Sequence, residues 1–239
     1  MDRESGQRAR KTEHFQDDDE ARQPRDVADH SPSSKQVQPH QVREDIVLRA
    51  DSPRRAKLEL EGWVMVARSW AASLDAASAD LDVMDRAVAR SAGHGLIREI
   101  TDFDVAAVLE LDVATLGDYP GGIATSHTPF TESTAQVSSV RRAFGIFDDK
   151  GRALAVTYVD IDGSSADTDF TVVLPQFRGL RLGSAVKAAS VLALMKDGIR
   201  VFRTGGAEES TAILKANQNL GYVVDEEWVT LRLTAEDRD

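Results

Sequence analysis

The segment Thr171-Val172-Val173-Leu174-Pro175-Gln176-Phe177-Arg178-Gly179-Leu180-Arg181-Leu182-Gly183-Ser184-Ala185-Val186-Lys187 constrains this chain more than any other. Thr171 to Leu174 is β-branched and apolar, the pattern of a buried strand. Pro175 has no N–H to offer a sheet, so the strand ends there. Gly179 and Gly183 permit a tight turn and a close backbone approach. From Ser184 onward, Ala185, Val186, Ala189, Leu192 and Ala193 follow helical spacing. The segment therefore reads as strand, turn and helix. The free N–H groups of that helix point back into the turn, with Arg178, Arg181 and Lys187 nearby. This is an anion site, most naturally one for phosphate.

Two common phosphate loops are excluded. Gly-Lys-Ser/Thr does not follow Gly179, and G-x-G-x-x-G is absent. Arg178-Gly179-Leu180-Arg181-Leu182-Gly183 instead resembles the acetyl-CoA loop of the GNAT (Gcn5-related) N-acetyltransferases, Gln/Arg-x-x-Gly-x-Gly/Ala. Arg181 stands where that signature has its first glycine. Downstream, Ile199 to Thr204 reads as a strand, Gly205-Gly206 as a break, and Ser210 to Asn219 as a helix. Asn217-Gln218-Asn219-Leu220-Gly221-Tyr222 resembles the family's closing signature, a helix ending in Leu-Gly-Phe/Tyr, with Gly221 as a left-handed cap. The resemblance covers roughly Gly95 to Leu233.

Composition bounds the chemistry. The chain has 239 residues, 41% hydrophobic and 29% charged, enough for one large or two small domains. It has no cysteine, which excludes disulfides, thiolate zinc sites and thiol nucleophiles. The net charge of −11 argues against a general nucleic-acid binder and is compatible with a cationic substrate. There is no apolar run of membrane-spanning length and no signal-peptide core. The expectation is a cytoplasmic protein without nucleic-acid, membrane or metal partners. Oligomeric state is left open.

Three regions are expected. Residues 1–40 are charged and rich in Gln, Ser and Pro, a composition that predicts a disordered tail. Residues 41–92 form an N-terminal extension: a short helix after Ser52-Pro53, a strand from Gly62-Trp63-Val64 toward Trp70, and a helix over Ala79 to Ser91. Gly62-Trp63-Val64 parallels Gly221-Tyr222-Val223. Since GNAT domains also occur in tandem, the extension reads either as the remnant of a preceding GNAT-like half or as a chance likeness.

Residues 93–236 form the main domain, an α/β (α+β) fold with a mixed, mostly antiparallel central sheet flanked by helices. Leu96 to Ile100 is its first strand, and Thr101-Asp102-Phe103-Asp104 resembles a capping box. The loop of Leu116 to Phe130 holds Asp118-Tyr119-Pro120-Gly121-Gly122 and His127. His127 is read as a surface loop residue rather than a base. Strands follow at Arg142 to Phe147, Ala153 to Ile161 and Asp167 to Leu174, and the helix from Ser184 then makes a parallel crossover.

The resemblance implies an acetyl-CoA-dependent N-acetyltransferase acting on a primary amine, on a small molecule or a peptide. A different class remains open: a GNAT-fold acyl-CoA-binding regulatory module with little or no transfer. By the resemblance, Val172, Val173 and Leu174 would offer backbone groups to the pantetheine arm. The loop amides of Arg178, Gly179, Leu180, Arg181, Leu182, Gly183 and Ser184 would bind the pyrophosphate. A side chain at Gly183 would then fill the phosphate space. Asp167, or Asp169 two residues on, would accept the amine's proton. The alternative is that both are solvent-facing strand residues. Asn217 stands where many members place a tyrosine that protonates the departing thiolate. Asparagine cannot supply that proton, although its amide could contact the cofactor.

Overall fold

The structure, a computed structural model, describes residues 45–118 and 124–233. The expected tail, and Tyr119-Pro120-Gly121-Gly122 of the substrate loop, lie outside them. In chain order the regular elements are β1 (Asp45–Arg49), α1 (Pro53–Leu60), β2 (Trp63–Asp75), α2 (Leu81–Ala89), β3 (Leu96–Glu99), α3 (Val105–Thr115) and α4 (Glu132–Ala135). Then come β4 (Arg141–Phe147), β5 (Ala153–Asp162), β6 (Ser165–Val173), α5 (Leu182–Lys196), β7 (Val201–Ala207), α6 (Thr211–Gln218) and β8 (Val223–Leu233).

These strands form one eight-stranded sheet in the order β1-β8-β2-β7-β6-β5-β4-β3. Every neighbouring pair is antiparallel except β6 and β7, which are parallel and joined through α5. A parallel pair needs such a crossover, and α5 supplies it with an almost entirely apolar surface. Its Leu182, Ala185, Val186, Ala188, Val191 and Leu194 are all buried. The capping box before α3 is present: the Thr101 backbone N–H and hydroxyl both donate to Asp104, at 2.8 and 2.9 Å. Asp104 also holds Arg98 in a bidentate pair, and the guanidinium keeps the carboxyl at about 2.

One feature departs from the sequence reading. Gly205-Gly206 does not break the strand but lies within β7. The reason is β2, which pairs with β7 from Ser69↔Ala207 to Asp75↔Val201. The indole of Trp70 fills the space above Gly206, where a Cβ would come within 2.6 Å of the ring. The β2 strand of the N-terminal segment lies inside the sheet, between β7 and β8.

The segment β1-α1-β2 repeats the form of β7-α6-β8. β1 pairs with β8 as β7 pairs with β2, and β2 and β8 meet in the middle. Gly62 and Gly221, which lead into the second strand of each unit, have φ of 89° and 93°.

Candidate functional site

The site begins where β6 and β7 part. Their ladder runs only from Ser165↔Val201 to Asp167↔Arg203, yet β6 continues to Val173 and β7 to Ala207. Asp169 causes the bend. On the other side of β6 the pairs Tyr158↔Phe170 and Val159↔Thr168 leave Asp169 as an extra, bulged residue. Beyond it β6 has one edge bound to β5 and one edge open. The Leu174 N–H donates to Leu154 O at 2.8 Å. By antiparallel alternation Val172 also faces β5, while the backbone groups of Thr171 and Val173 face the opening. Of the three residues expected to offer free backbone groups, Val173 therefore does so directly, and the Leu174 amide is already bonded. The Val173 carbonyl accepts from Arg178 Nε at 3.3 Å.

The loop after β6 turns through a short 3₁₀ segment, Pro175–Phe177, and two left-handed residues, Gly179 (φ 77°) and Arg181 (φ 62°). The left-handed conformation is natural for Gly179 and strained for Arg181, which explains why the resembled signature has a glycine there. Arg181 caps α5 with no side-chain hydrogen bond to the helix. The first-turn N–H groups of Leu182, Gly183 and Ser184 thus point into the loop. Gly183 serves a purpose other than clearing space for phosphate. A Cβ there would meet Val173 Cγ2 at 3.3 Å and Thr171 Cγ2 at 3.8 Å, so the glycine lets α5 approach β6.

A cleft of about 310 Å³ opens at the start of α5, lined among others by Val83, Arg90, Arg181, Ser184, Lys215 and Asn219. Arg90, just past α2, and Lys215, on α6, were not legible as site residues. Their positive charge meets that of Arg181 only through packing. Arg178 is engaged elsewhere, by Asp118.

Lys187 does not join this cluster. It lies in the interior, 5% exposed, on the face of the sheet that α5 covers. Its Nζ donates to Thr204 Oγ1 at 2.7 Å and Asn217 Oδ1 at 2.6 Å, and lies 5.0 Å from the ring centre of Tyr222. Burial lowers its pKa to about 7. Tyr222 is itself buried, with Thr168 near its phenol. Thr168 and Thr204 are the first residues past the last β6–β7 pair.

The opposite face carries the acids. Residues opposite one another in neighbouring strands share a face, so Arg141, Asp160, Asp167 and Arg203 form one row across β4, β5, β6 and β7. Arg141 binds Asp160 and the bulged Asp169, each at 2.6 Å. Arg203 reaches Glu226 at 3.2 Å and Asp225 at 3.7 Å. Desolvation raises the Asp167 pKa above the ordinary carboxylate value. Arg203 opposes that shift, and Asp160 and Glu226 reinforce it. Asp167 and Asp169 thus differ: the first has a raised pKa, while the second is held by a guanidinium.

Next to this row, Phe130, Tyr158 and Phe170 pack together with His127. His127 is not a surface residue. Its side chain is 7% exposed and its Nε2 lies 2.6 Å from Asp112 Oδ1, with the Phe130 amide donating to the other Asp112 oxygen.

No family model and no curated relative matches the sequence. Solved structures do match. A tandem GNAT protein from the clavulanic acid biosynthesis pathway superposes with a TM-score of 0.57 at 18% identity, covering 81% of this chain and 64% of that one. A GCN5-related N-acetyltransferase from Sphaerobacter thermophilus gives 0.58 at 16%, covering 81% and 61%. Another from Kribbella flavida gives 0.56 at 18%, covering 80% and 68%. The chain spans less than two thirds of the length of the first two. The parted parallel strands, the bulge between them and these superpositions together give the chain the fold of the GCN5-related N-acetyltransferases.

Proposed function

We propose that the protein is an acetyl-CoA-dependent N-acetyltransferase whose acceptor is a primary amine on a small molecule or a peptide. The observation that carries this reading is the parting of β6 and β7 after Asp167↔Arg203, with the amide-lined start of α5 directly beyond. An extended amide-bearing arm fits the open edge of β6, and a phosphate-bearing head fits the cationic cleft, so the residues suit CoA. Acetyl-CoA brings an acetyl group activated as a thioester.

In this reading the open edge of β6, at Thr171 and Val173, aligns the arm by strand-like hydrogen bonds. The amides of Gly179, Leu180, Arg181, Leu182, Gly183 and Ser184 receive the pyrophosphate, with Arg90, Arg181 and Lys215 adding charge. The acidic row on the other face draws in a protonated amine. Asp167, with its raised pKa, takes the proton that the amine must lose before it attacks. No metal is invoked: among the described residues no group of three or more His, Cys, Asp or Glu is arranged to hold an ion. No described helix is long and apolar enough to cross a membrane.

The test is calorimetry with CoA, followed by free-thiol release from acetyl-CoA across a panel of amines. Tight CoA binding with thiol release for no amine would favour the second reading, an acyl-CoA-binding regulatory module. Asn217 in place of a tyrosine motivates that alternative. Absence of CoA binding would overturn both. On the same footing we read β1-α1-β2 as the remnant of a preceding GNAT-like half. The matched pairing of β1-α1-β2 and β7-α6-β8, and the twin φ angles of Gly62 and Gly221, support that reading.

A further inference from the structure

Among the described residues, Lys187 is a buried amine with no partner of opposite charge. A lysine 5% exposed among neutral groups is costly to keep, because its ammonium loses water and gains no counter-ion. The groups facing it are Thr204 from β7, Asn217 from α6 and Tyr222 from the turn after α6. Its own helix adds Ser190, whose hydroxyl bonds to the Lys187 carbonyl. None is an acid. Asp167 stands behind Tyr222 on the other face of β6 and influences the phenol. Any methionine or leucine would fill this space without the penalty.

The place of the amine accounts for its chemistry. Thr204 and Thr168 are the first residues beyond the point where β7 and β6 separate. Nζ bonds to the former and lies over the ring of Tyr222, whose phenol is near the latter. An ammonium has three N–H groups, and Thr204 and Asn217 accept two. No acceptor among the described residues takes the third, and Nζ lies beside Thr204, the first β7 residue past the last β6–β7 pair. Asn217, the residue that resemblance would make the proton donor, instead accepts from Lys187.

We propose that Lys187 is the proton donor to the departing sulfur of CoA. This rests on the acyl-CoA reading above. The amine nitrogen bonds to the acetyl carbonyl carbon, the C–S bond breaks, and its electron pair stays on sulfur. Lys187 passes one ammonium proton to that sulfur, giving the CoA thiol and a neutral lysine. The surplus proton of the amine leaves through Asp167 on the opposite face, and Lys187 regains a proton from solvent. With a pKa lowered to about 7, the lysine releases and regains protons readily near neutral pH.

The main test uses free CoA and needs no acceptor; a second readout uses acetyl-CoA with hydroxylamine. Ultraviolet difference absorbance reports the thiolate as the complex of full-length protein with CoA is titrated. Thiolate and ammonium stabilise one another, so the amine and the bound thiol should titrate as a pair, and thiolate absorbance should appear about one unit or more below the pKa of free CoA. Lys187→Met should abolish that shift while leaving CoA affinity at mildly acidic pH unchanged. Lys187→Arg keeps the charge but cannot give up a proton. It should keep the shift yet lose acetyl transfer to hydroxylamine. A wild-type complex whose thiol titrates like free CoA overturns the inference, even if neither variant folds. So does a shift that survives in folded Lys187→Met. Failure of the wild type to bind CoA overturns the acyl-CoA reading as well, whereas binding with an unshifted thiol removes this inference alone.

Discussion

The indole of Trp70 occupies the space that a side chain at Gly206 would need: a Cβ there would lie 2.6 Å from Trp70 Cζ2, and Trp70 Nε1 donates to the neighbouring Ala207 carbonyl at 3.1 Å. The contact ties the N-terminal β2 to the strand that forms one wall of the candidate site. Gly206→Ala should therefore destabilise the protein by about 1–3 kcal/mol, as overpacking of a filled site does. Gly117→Ala, where nothing lies within 4 Å, is the control and should stay within about 0.5 kcal/mol of wild type. Urea denaturation of the two variants checks this, and equal midpoints would refute it.

Arg181 holds a left-handed backbone at φ 62° with a side chain attached. Arg181→Gly should relieve about 1 kcal/mol of strain and raise the melting temperature by about 2–4 °C. The same change removes a cation from the cleft, so CoA affinity should fall while stability rises. Calorimetry and thermal melts on one preparation would show whether the two effects separate.

The buried amine makes stability depend on pH in a definite direction. The ordinary pKa of Lys187 is 10.5 and its folded value is about 7. Between these values the unfolded chain binds a proton that the folded chain does not, so this group's contribution to stability rises with pH. Below about 7 both states are protonated and the full penalty of the buried charge applies. Lys187→Met should thus gain most over wild type at neutral pH and below, and that advantage should shrink as pH is raised toward 10.5. A pH-independent difference would contradict the burial of a titrating amine.

Asp167 and Asp169 should respond differently to removal of charge. Asp167→Asn is expected to lower kcat by about 10²–10⁴-fold and to leave CoA affinity unchanged. Because its pKa is raised, the acidic limb of the wild-type rate profile should lie above the usual aspartate range and vanish in the variant. Asp169→Asn breaks a partly exposed pair with Arg141, and should change stability by no more than about 1 kcal/mol with little effect on the profile. The reverse pattern would move the base to Asp169.

Arg90 tests the cationic cleft. Arg90→Ala should weaken CoA binding by about tenfold or more, the cost of one charge-assisted hydrogen bond, without altering the melt. Unchanged affinity would place the phosphates elsewhere.

The sequence by itself determined what depends on neighbours along the chain. Pro175 ended β6, the spacing of Ala185, Val186 and Ala189 made α5, Thr101 and Asp104 closed a capping box, and Gly221 turned left-handed after α6. These are short-range requirements of backbone sterics and hydrogen bonding, so a linear reading captures them. The tertiary structure decided whatever rests on contacts between distant segments. Gly205-Gly206 stayed in β7 because Trp70, 136 positions away from Gly206, fills the space above it. Lys187 left the anion loop for the interior because Thr204 and Asn217 await it there, and Arg90 reached the cleft because α2 packs against α5. His127 is covered because Asp112 and the rings of Phe130 and Phe170 close around it. A residue's charge and size are written in the sequence, but its solvation is set by which distant segments surround it, and solvation fixes both its pKa and its chemistry.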